Sequence, residues 1–135
     1  GLESAPATTY ARVLEKLLGQ PDVEERFVEF VVRLGGKDFG DKGAVGIAAW
    51  LATNTSLQRL ALASSGIRLA GAKALAEALR VNRVLRKLEL HFNGIGDAGA
   101  EALAGALKAN EALEVLDLEF DHIGNAGAEA LAEAL

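Results

Sequence analysis

Residues 85–107 read LRKLELHFNGIGDAGAEALAGAL, and residues 113–135, 28 positions further on, read LEVLDLEFDHIGNAGAEALAEAL. The two stretches agree at 15 of 23 positions, so the chain is built by repetition. The same step places Leu57, Leu60, Leu62, Ile67, Gly71, Ala72, Leu75 and Leu79 beneath Leu85, Leu88, Leu90, Ile95, Gly99, Ala100, Leu103 and Leu107. One step further back, Val32, Leu34, Phe39, Gly43, Ala44, Ile47 and Leu51 form a weaker unit that opens at Glu29 instead of a leucine. The units are 29–56, 57–84, 85–112 and an incomplete 113–135.

Each unit holds a Leu-x-Leu alternation of period two and, about ten residues later, an Ala-x-x-Leu-Ala-x-x-Leu stripe of helical period. Every unit is therefore expected to run strand, turn, helix. Asp41, Asp97 and Asn125 stand where helices start and are expected to cap them, a service lost in the second unit, which has Leu69 there. Asn54, Asn82 and Asn110 stand at the helix ends and are expected to take the left-handed conformation that stops a helix. Helices about 10 Å apart keep step with strands about 4.8 Å apart only if the stack bends, strands inside and helices outside.

The pattern L-x-x-L-x-L-x-x-N-x-I-G followed by G-A-x-x-L-A-x-A-L resembles the ribonuclease-inhibitor type of leucine-rich repeat, over residues 29–135. The resemblance implies an α/β fold: a right-handed solenoid or short horseshoe, with parallel strands on the concave side and helices on the convex side. Only the unit from Leu85 has the family's asparagine, at Asn93; Lys37, Ser65 and Asp121 replace it elsewhere. In the family that side chain bonds the backbone of adjacent turns. The family includes ligand-sensing receptors and Ran GTPase activators, and no motif beyond the repeat carries their particular activities here.

Residues 1–28 break the period. A helix through Tyr10, Val13, Leu14, Leu17 and Leu18, capped by Thr8 or Thr9 and followed by a Gln20-Pro21-Asp22 turn, is expected to cover the first repeat. Trp50 fits such a cap, because its column otherwise holds Ala78, Ala106 and Ala134. The stretch from Leu17 to Leu34 also looks loosely similar to the opening of the tropomodulin repeat domain.

Half of the 135 residues are apolar, enough for a continuous core. Fourteen Lys and Arg against nineteen Asp and Glu give a net charge of −5, the wrong sign for general nucleic-acid or anionic-membrane binding. The absence of cysteine removes disulfides and thiolate chemistry and suits a reducing, cytoplasmic setting. No apolar run approaches the ~20 residues of a membrane helix. The lack of an initiator methionine and the stop inside a helical stripe suggest a trimmed piece. The row Leu116, Leu118, Ile123, Leu131 and Leu135 would then lie open, and self-association through the last repeat is expected.

Gly94-Ile95-Gly96-Asp97-Ala98-Gly99 is a literal G-x-G-x-x-G between strand and helix, the fingerprint of a dinucleotide-binding enzyme. The other units read Asp38 to Gly43, Gly66 to Gly71 and His122 to Gly127 at the same place and keep only the last glycine throughout, which points to a repeat feature instead. His91 and His122 fall in different columns, and no catalytic triad or metal-spaced cluster is legible. Asn54-Thr55-Ser56 has the form of a glycosylation acceptor, which the helix-ending role of Asn54 explains better. The expectation is a binding protein, not an enzyme, with no cofactor and no metal.

What remains is the inner face. If Leu88 and Leu90 point inward, alternation turns Lys87, Glu89 and His91 outward, with Arg59, Ala61 and Ala63 before them and Val115, Asp117 and Glu119 after. His91 lies beside Glu119 and could form a charged pair or a metal edge with it, but an ordinary solvated histidine on a binding face is the favoured reading. Phe92 and Phe120 follow one repeat apart, where earlier units have Gly36 and Ser64. Strict alternation would bury them; the family's geometry turns the position outward. The expected surface for a protein partner is Arg59, Lys87, Glu89, His91, Phe92, Asp117, Glu119 and Phe120. Charge is graded along the stack of units, since 57–84 has five basic residues and one acidic, whereas 113–135 has six acidic and no Lys or Arg. A purely structural repeat fragment of a larger receptor or scaffold is the alternative.

Overall fold

A computed structural model describes residues 40–55 and 57–135. The period-two segments form three short strands, β1 (Arg59–Ala61), β2 (Lys87–Glu89) and β3 (Val115–Asp117), paired in parallel in that order. The register sets each residue against its equivalent 28 positions on: Arg59 against Lys87 and Val115, Leu60 against Leu88 and Leu116, Ala61 against Glu89 and Asp117. Parallel neighbours need a crossover, and the alanine-leucine stripes supply it as helices. These are α1 (Gly40–Thr53), α2 (Leu69–Val81), α3 (Gly96–Ala109) and α4 (Asn125–Ala134), each packed on the next. The result is the expected α/β repeat solenoid. The cap over 1–28, the first strand of unit 29–56 and the Leu17–Leu34 stretch lie outside the described residues.

The leucine ladder lies between sheet and helices. Leu57, Leu60, Leu62 and Ile67 are buried with Leu75 and Leu79 of α2, and Leu85, Leu88, Leu90 and Ile95 repeat the arrangement with Leu103 of α3. Each such side chain contributes about 1.5–3 kcal/mol on burial. Leu113, Leu116 and Leu118 pack half-buried against this core, and Trp50 is buried within it. The glycine shared by all units has a packing reason. A Cβ at Gly99 would lie 2.6 Å from Cγ2 of Ile95 and 3.2 Å from Cβ of Ala72 on the preceding helix; Gly71 and Gly127 are enclosed in the same way by Ile67 with Ala44 and by Ile123 with Ala100.

Both capping expectations need correction, because the polar side chains act across repeats and not within them. Asp41 sits in the first turn of α1, yet its Oδ1 accepts from the backbone N–H groups of Arg68 (2.7 Å) and Gly71 (2.9 Å) at the start of α2. Asp97 does the same from α3 to Gly124 (2.7 Å) and Gly127 (2.9 Å) of α4. Asn125 is the first residue of α4, and the preceding Gly124 provides no side-chain cap. At the other end Asn82 and Asn110 are extended, with φ −71° and −105°, not left-handed. Their amides donate backward, Asn82 to the carbonyls of Leu51 and Asn54, Asn110 to those of Leu79 and Asn82. Carbonyls left over at one helix end are thereby satisfied by the next repeat.

The turns into the helices alternate. Gly40 and Gly96 open α1 and α3 with φ of +70° and +69°, and their N–H groups donate to Ser65 and Asp121 carbonyls one repeat on. Arg68 and Gly124 instead precede α2 and α4 in extended conformation, with the positive φ displaced to Gly66 and His122. The carboxylate straps from Asp41 and Asp97 reach only this second kind of helix start. Leu69 therefore leaves no missing cap on α2 itself.

Candidate functional site

The outward face of the sheet is organised in rows. Arg59, Lys87 and Val115 form the first, Ala61, Glu89 and Asp117 the second, and Ala63, His91 and Glu119 the third. Arg59, Val115 and Glu119 are exposed, while Lys87, Glu89, His91 and Asp117 are partly so. Ala61 shares its row but is buried, since a methyl group does not rise clear of what flanks it. Two of the acids are compensated locally, Glu89 by Lys87 at 3.3 Å and Glu114 by Arg86 at 2.8 Å, and a third, Asp117, has the His91 ring beside it. His91 thus turns to Asp117 and not, as its column suggested, to Glu119. Its Nδ1 lies 3.1 Å from Oδ2 of Asp117, a spacing that becomes an ion pair when the ring is protonated.

At the rim stands the aromatic column. Phe92 and Phe120 are 56% and 68% exposed, so the outward orientation is the one realised. Their rings are stacked with centroids 4.7 Å apart and planes within 6° of each other. That separation is the spacing of neighbouring strands. His91 meets Phe92 edge-on at 5.7 Å. The strand has ended here, and the backbone turns the rings out by entering the left-handed region, with φ of +57° at Phe92 and +56° at Phe120. Ser64 shares the conformation and the column, but its small side chain cannot continue the stack.

Directly behind the rings, Asn93 and Asp121 hold the turns. Oδ1 of Asn93 accepts from the N–H groups of Ser65 (2.9 Å) and Ile67 (3.1 Å), while Nδ2 donates to the carbonyls of Leu62 (3.0 Å) and Leu90 (2.7 Å). Ser65 closes only its own turn, through Oγ to Leu62 and Ala63. Asp121 accepts from the Asn93 N–H at 3.0 Å, but its buried Oδ2 has no partner. Burial raises its pKa from 3.8 to about 6, against the lowering effect of the Ile95 and Asn93 N–H bonds; Asp117 adds to the rise and His91 opposes it.

The glycines and the acid of the Gly94–Gly99 turn have roles in the repeat itself. Gly99 serves helix packing, Gly94 faces the Arg68 side chain at ordinary contact distance, and the Asp97 carboxylate is committed to the next helix start. Among the described residues no group of His, Asp or Glu is placed to hold a metal ion, and no helix is long and apolar enough to cross a membrane. The sequence placed all eight expected surface residues on one face and its rim. It turned Val115 outward and put Ser64 in the aromatic column, where they complete the first and aromatic rows, without counting either in the surface. It overlooked the Arg86–Glu114 pair, although their 28-residue separation was a readable signal.

No curated protein sequence matches the chain. Among solved structures it is similar to one described as Leiomodin-1 actin-binding site 2, with a TM-score of 0.65 and 24% identity over 85% of this chain and 73% of that one. That likeness concerns the fold. The family model described as Leucine Rich repeat matches three times, over residues 53–76, 81–104 and 109–132. Together these exceed half of the chain, and their spacing is the 28-residue period that sets strand on strand in the sheet. The chain belongs to the leucine-rich repeat family.

Proposed function

We propose that this chain is a protein-interaction module that binds its partner through the outward face of the sheet, the concave side of the solenoid, by affinity and not by turnover. The observation that carries this reading is the exposed stack of Phe92 and Phe120. A bulky residue at positive φ is strained, typically by 1 kcal/mol or more, and two large aromatic side chains left mostly in water add little burial energy to offset it. Glycine or asparagine would serve the turn better. Exposed aromatic anchors beside half-buried charges are what protein interfaces use as hot spots. Arg59, Lys87, Glu89, His91, Asp117 and Glu119 supply the polar surround. An actin-binding site carried on the same fold in leiomodin-1 supports a protein partner in general and names none here. A chain without cysteine suits a cytoplasmic setting.

The test is affinity selection from a displayed peptide library, followed by binding measurements on a Phe92→Asn, Phe120→Asn double variant. Ligands of this face lose ~2 kcal/mol or more per ring while the urea midpoint stays put or rises. Selected ligands that bind the double variant unchanged would place the interaction elsewhere.

A further inference from the structure

The carboxylate of Glu119 is the exception on this face. Lys87 compensates Glu89, Arg86 compensates Glu114 and the His91 ring lies beside Asp117, but Glu119 is exposed with no cationic partner among the described residues. Unit 113–135 contains no Lys or Arg that could reach it. Its position is adjacent to the aromatic column: it immediately precedes Phe120, and its carbonyl accepts the Phe92 N–H at 3.0 Å. Asp117, two residues earlier, holds its backbone by accepting the Glu119 N–H at 3.1 Å. A carboxylate without a cationic partner among the described residues thus immediately precedes an exposed, stacked pair of rings, and both features attract the same kind of group. Ring faces carry negative quadrupole density that draws cations, and a guanidinium can stack on a ring while its fork donates to a carboxylate.

Resting on the protein-binding reading above, we infer that the partner presents a basic segment, with an arginine side chain laid against the Phe92–Phe120 stack and donating to Glu119. The charge gradient along the face agrees in sign. Asp117 and Glu119, on and just after β3, adjoin the rings, whereas Arg59 stands on β1 at the far edge of the sheet. A basic segment is drawn to the fourth repeat and repelled by the second. Because ordinary salt screens exposed charges beyond about 10 Å, this preference acts at close range.

The experiment uses the whole chain and fluorescein-labelled short peptides alternating arginine with glycine, read by anisotropy at low salt. Controls are a citrulline version of the same shape without charge, a lysine version, a glutamate version and a neutral tryptophan-glycine version. The arginine peptide is expected to bind at least about fivefold more tightly than the citrulline peptide, with lysine in between because it cannot stack as a plane. Glu119→Gln and Phe120→Ala should each weaken it about threefold or more, and Glu101→Gln, on the exposed side of α3, should not. Trp50 fluorescence and the urea midpoint verify that each variant is folded. Equal binding of arginine and citrulline peptides, tighter binding of the glutamate peptide, or equal losses from Glu119→Gln and Glu101→Gln would overturn the inference. Capture of the tryptophan peptide alone, lost in Phe120→Ala, would overturn it while leaving the protein-binding reading intact. Failure of every peptide to bind at the rings removes both.

Discussion

The turns at Asn93 and Asp121 are one repeat apart and each follows an exposed phenylalanine, yet one is fully bonded and the other is not. Asn93 spans two repeats because an amide both accepts and donates: it collects two backbone N–H groups and serves two carbonyls. Asp121 reproduces the accepting half and holds the Asn93 N–H. On the donating side it presents an oxygen without a hydrogen, and Oδ2 stays buried and unpartnered. Two residue types of nearly the same shape therefore give a sealed junction between the second and third repeats and a proton-dependent one between the third and fourth.

The largest expected effect comes from breaking the sealed turn. Asn93→Leu fills the space but strands two buried N–H groups and two carbonyls, at a cost of roughly 2–4 kcal/mol. Urea unfolding followed by Trp50 fluorescence measures it, and a loss below about 1 kcal/mol would mean that water replaces the bonds. Asn93→Asp sharpens the comparison, since it should copy the Asp121 defect one repeat earlier and make stability fall with rising pH.

Next in size is the repair of Asp121. Its pKa is higher in the fold than the ordinary 3.8, so the folded state holds the proton more firmly. The stability linked to that proton is fully present below 3.8 and is lost as pH rises through about 6. At neutral pH the charged, half-bonded carboxylate costs roughly 1–3 kcal/mol, with the N–H bonds from Ile95 and Asn93 already holding the shift down. Asp121→Asn restores a donor where Asn93 has Nδ2. It should raise stability by about that amount near pH 7.5 and by little near pH 4, flattening the pH profile. An unchanged profile would place the proton linkage on another group.

A smaller effect tests whether the same junction depends on a second bond. Asp97 straps α3 to the start of α4, as Asp41 straps α1 to α2. Asp97→Ala removes charge-assisted bonds at a helix N-terminus and should cost about 0.5–2 kcal/mol. Hydrogen exchange should show the loss concentrated in α4. If protection falls evenly over α3 and α4, the strap holds the whole stack and not the junction.

Periodicity carried most of the fold from the sequence. Leu88 and Leu90 announce a strand, the stripe through Leu103 and Leu107 announces a helix, and the 28-residue step aligns them into a sheet, because burial of a repeated apolar face has few solutions. The rows of the candidate site came with it, since a strand that buries Leu88 must expose Lys87 and Glu89. Polar side chains were misread where their partners lie one repeat away. Asp41 and Asp97 look like caps of their own helices, and Asn82 and Asn110 like left-handed stops, because capping rules are local in sequence whereas these groups bond residues 27 to 31 positions distant. His91 shows the same limit at smaller scale: register pointed to Glu119, and the side chain reached diagonally to Asp117.

The smallest expected effect concerns the residues immediately before the two turns. Phe92 and Phe120 occupy left-handed backbone that glycine adopts without strain, and their rings are mostly in water. Phe92→Gly or Phe120→Gly forfeits the ring stack, worth about 0.5–1.5 kcal/mol, but relieves a backbone cost of similar size. Each should therefore leave stability within about 1 kcal/mol of the parent, on the stabilising side where the turn is firm. The turns differ in that respect. Asn93 fixes the backbone behind Phe92 on both sides, so Phe92 cannot relax and its removal should release the full strain. Behind Phe120 the half-bonded Asp121 lets the turn adjust, so Phe120→Gly should gain less, and the difference should vanish when Asp121→Asn is added. Urea midpoints of the two single variants and the two combined with Asp121→Asn make this a double-mutant cycle. A sharp loss of stability on removing either ring would show that the phenylalanines are held as structure, and the face would lose its claim to be a binding surface.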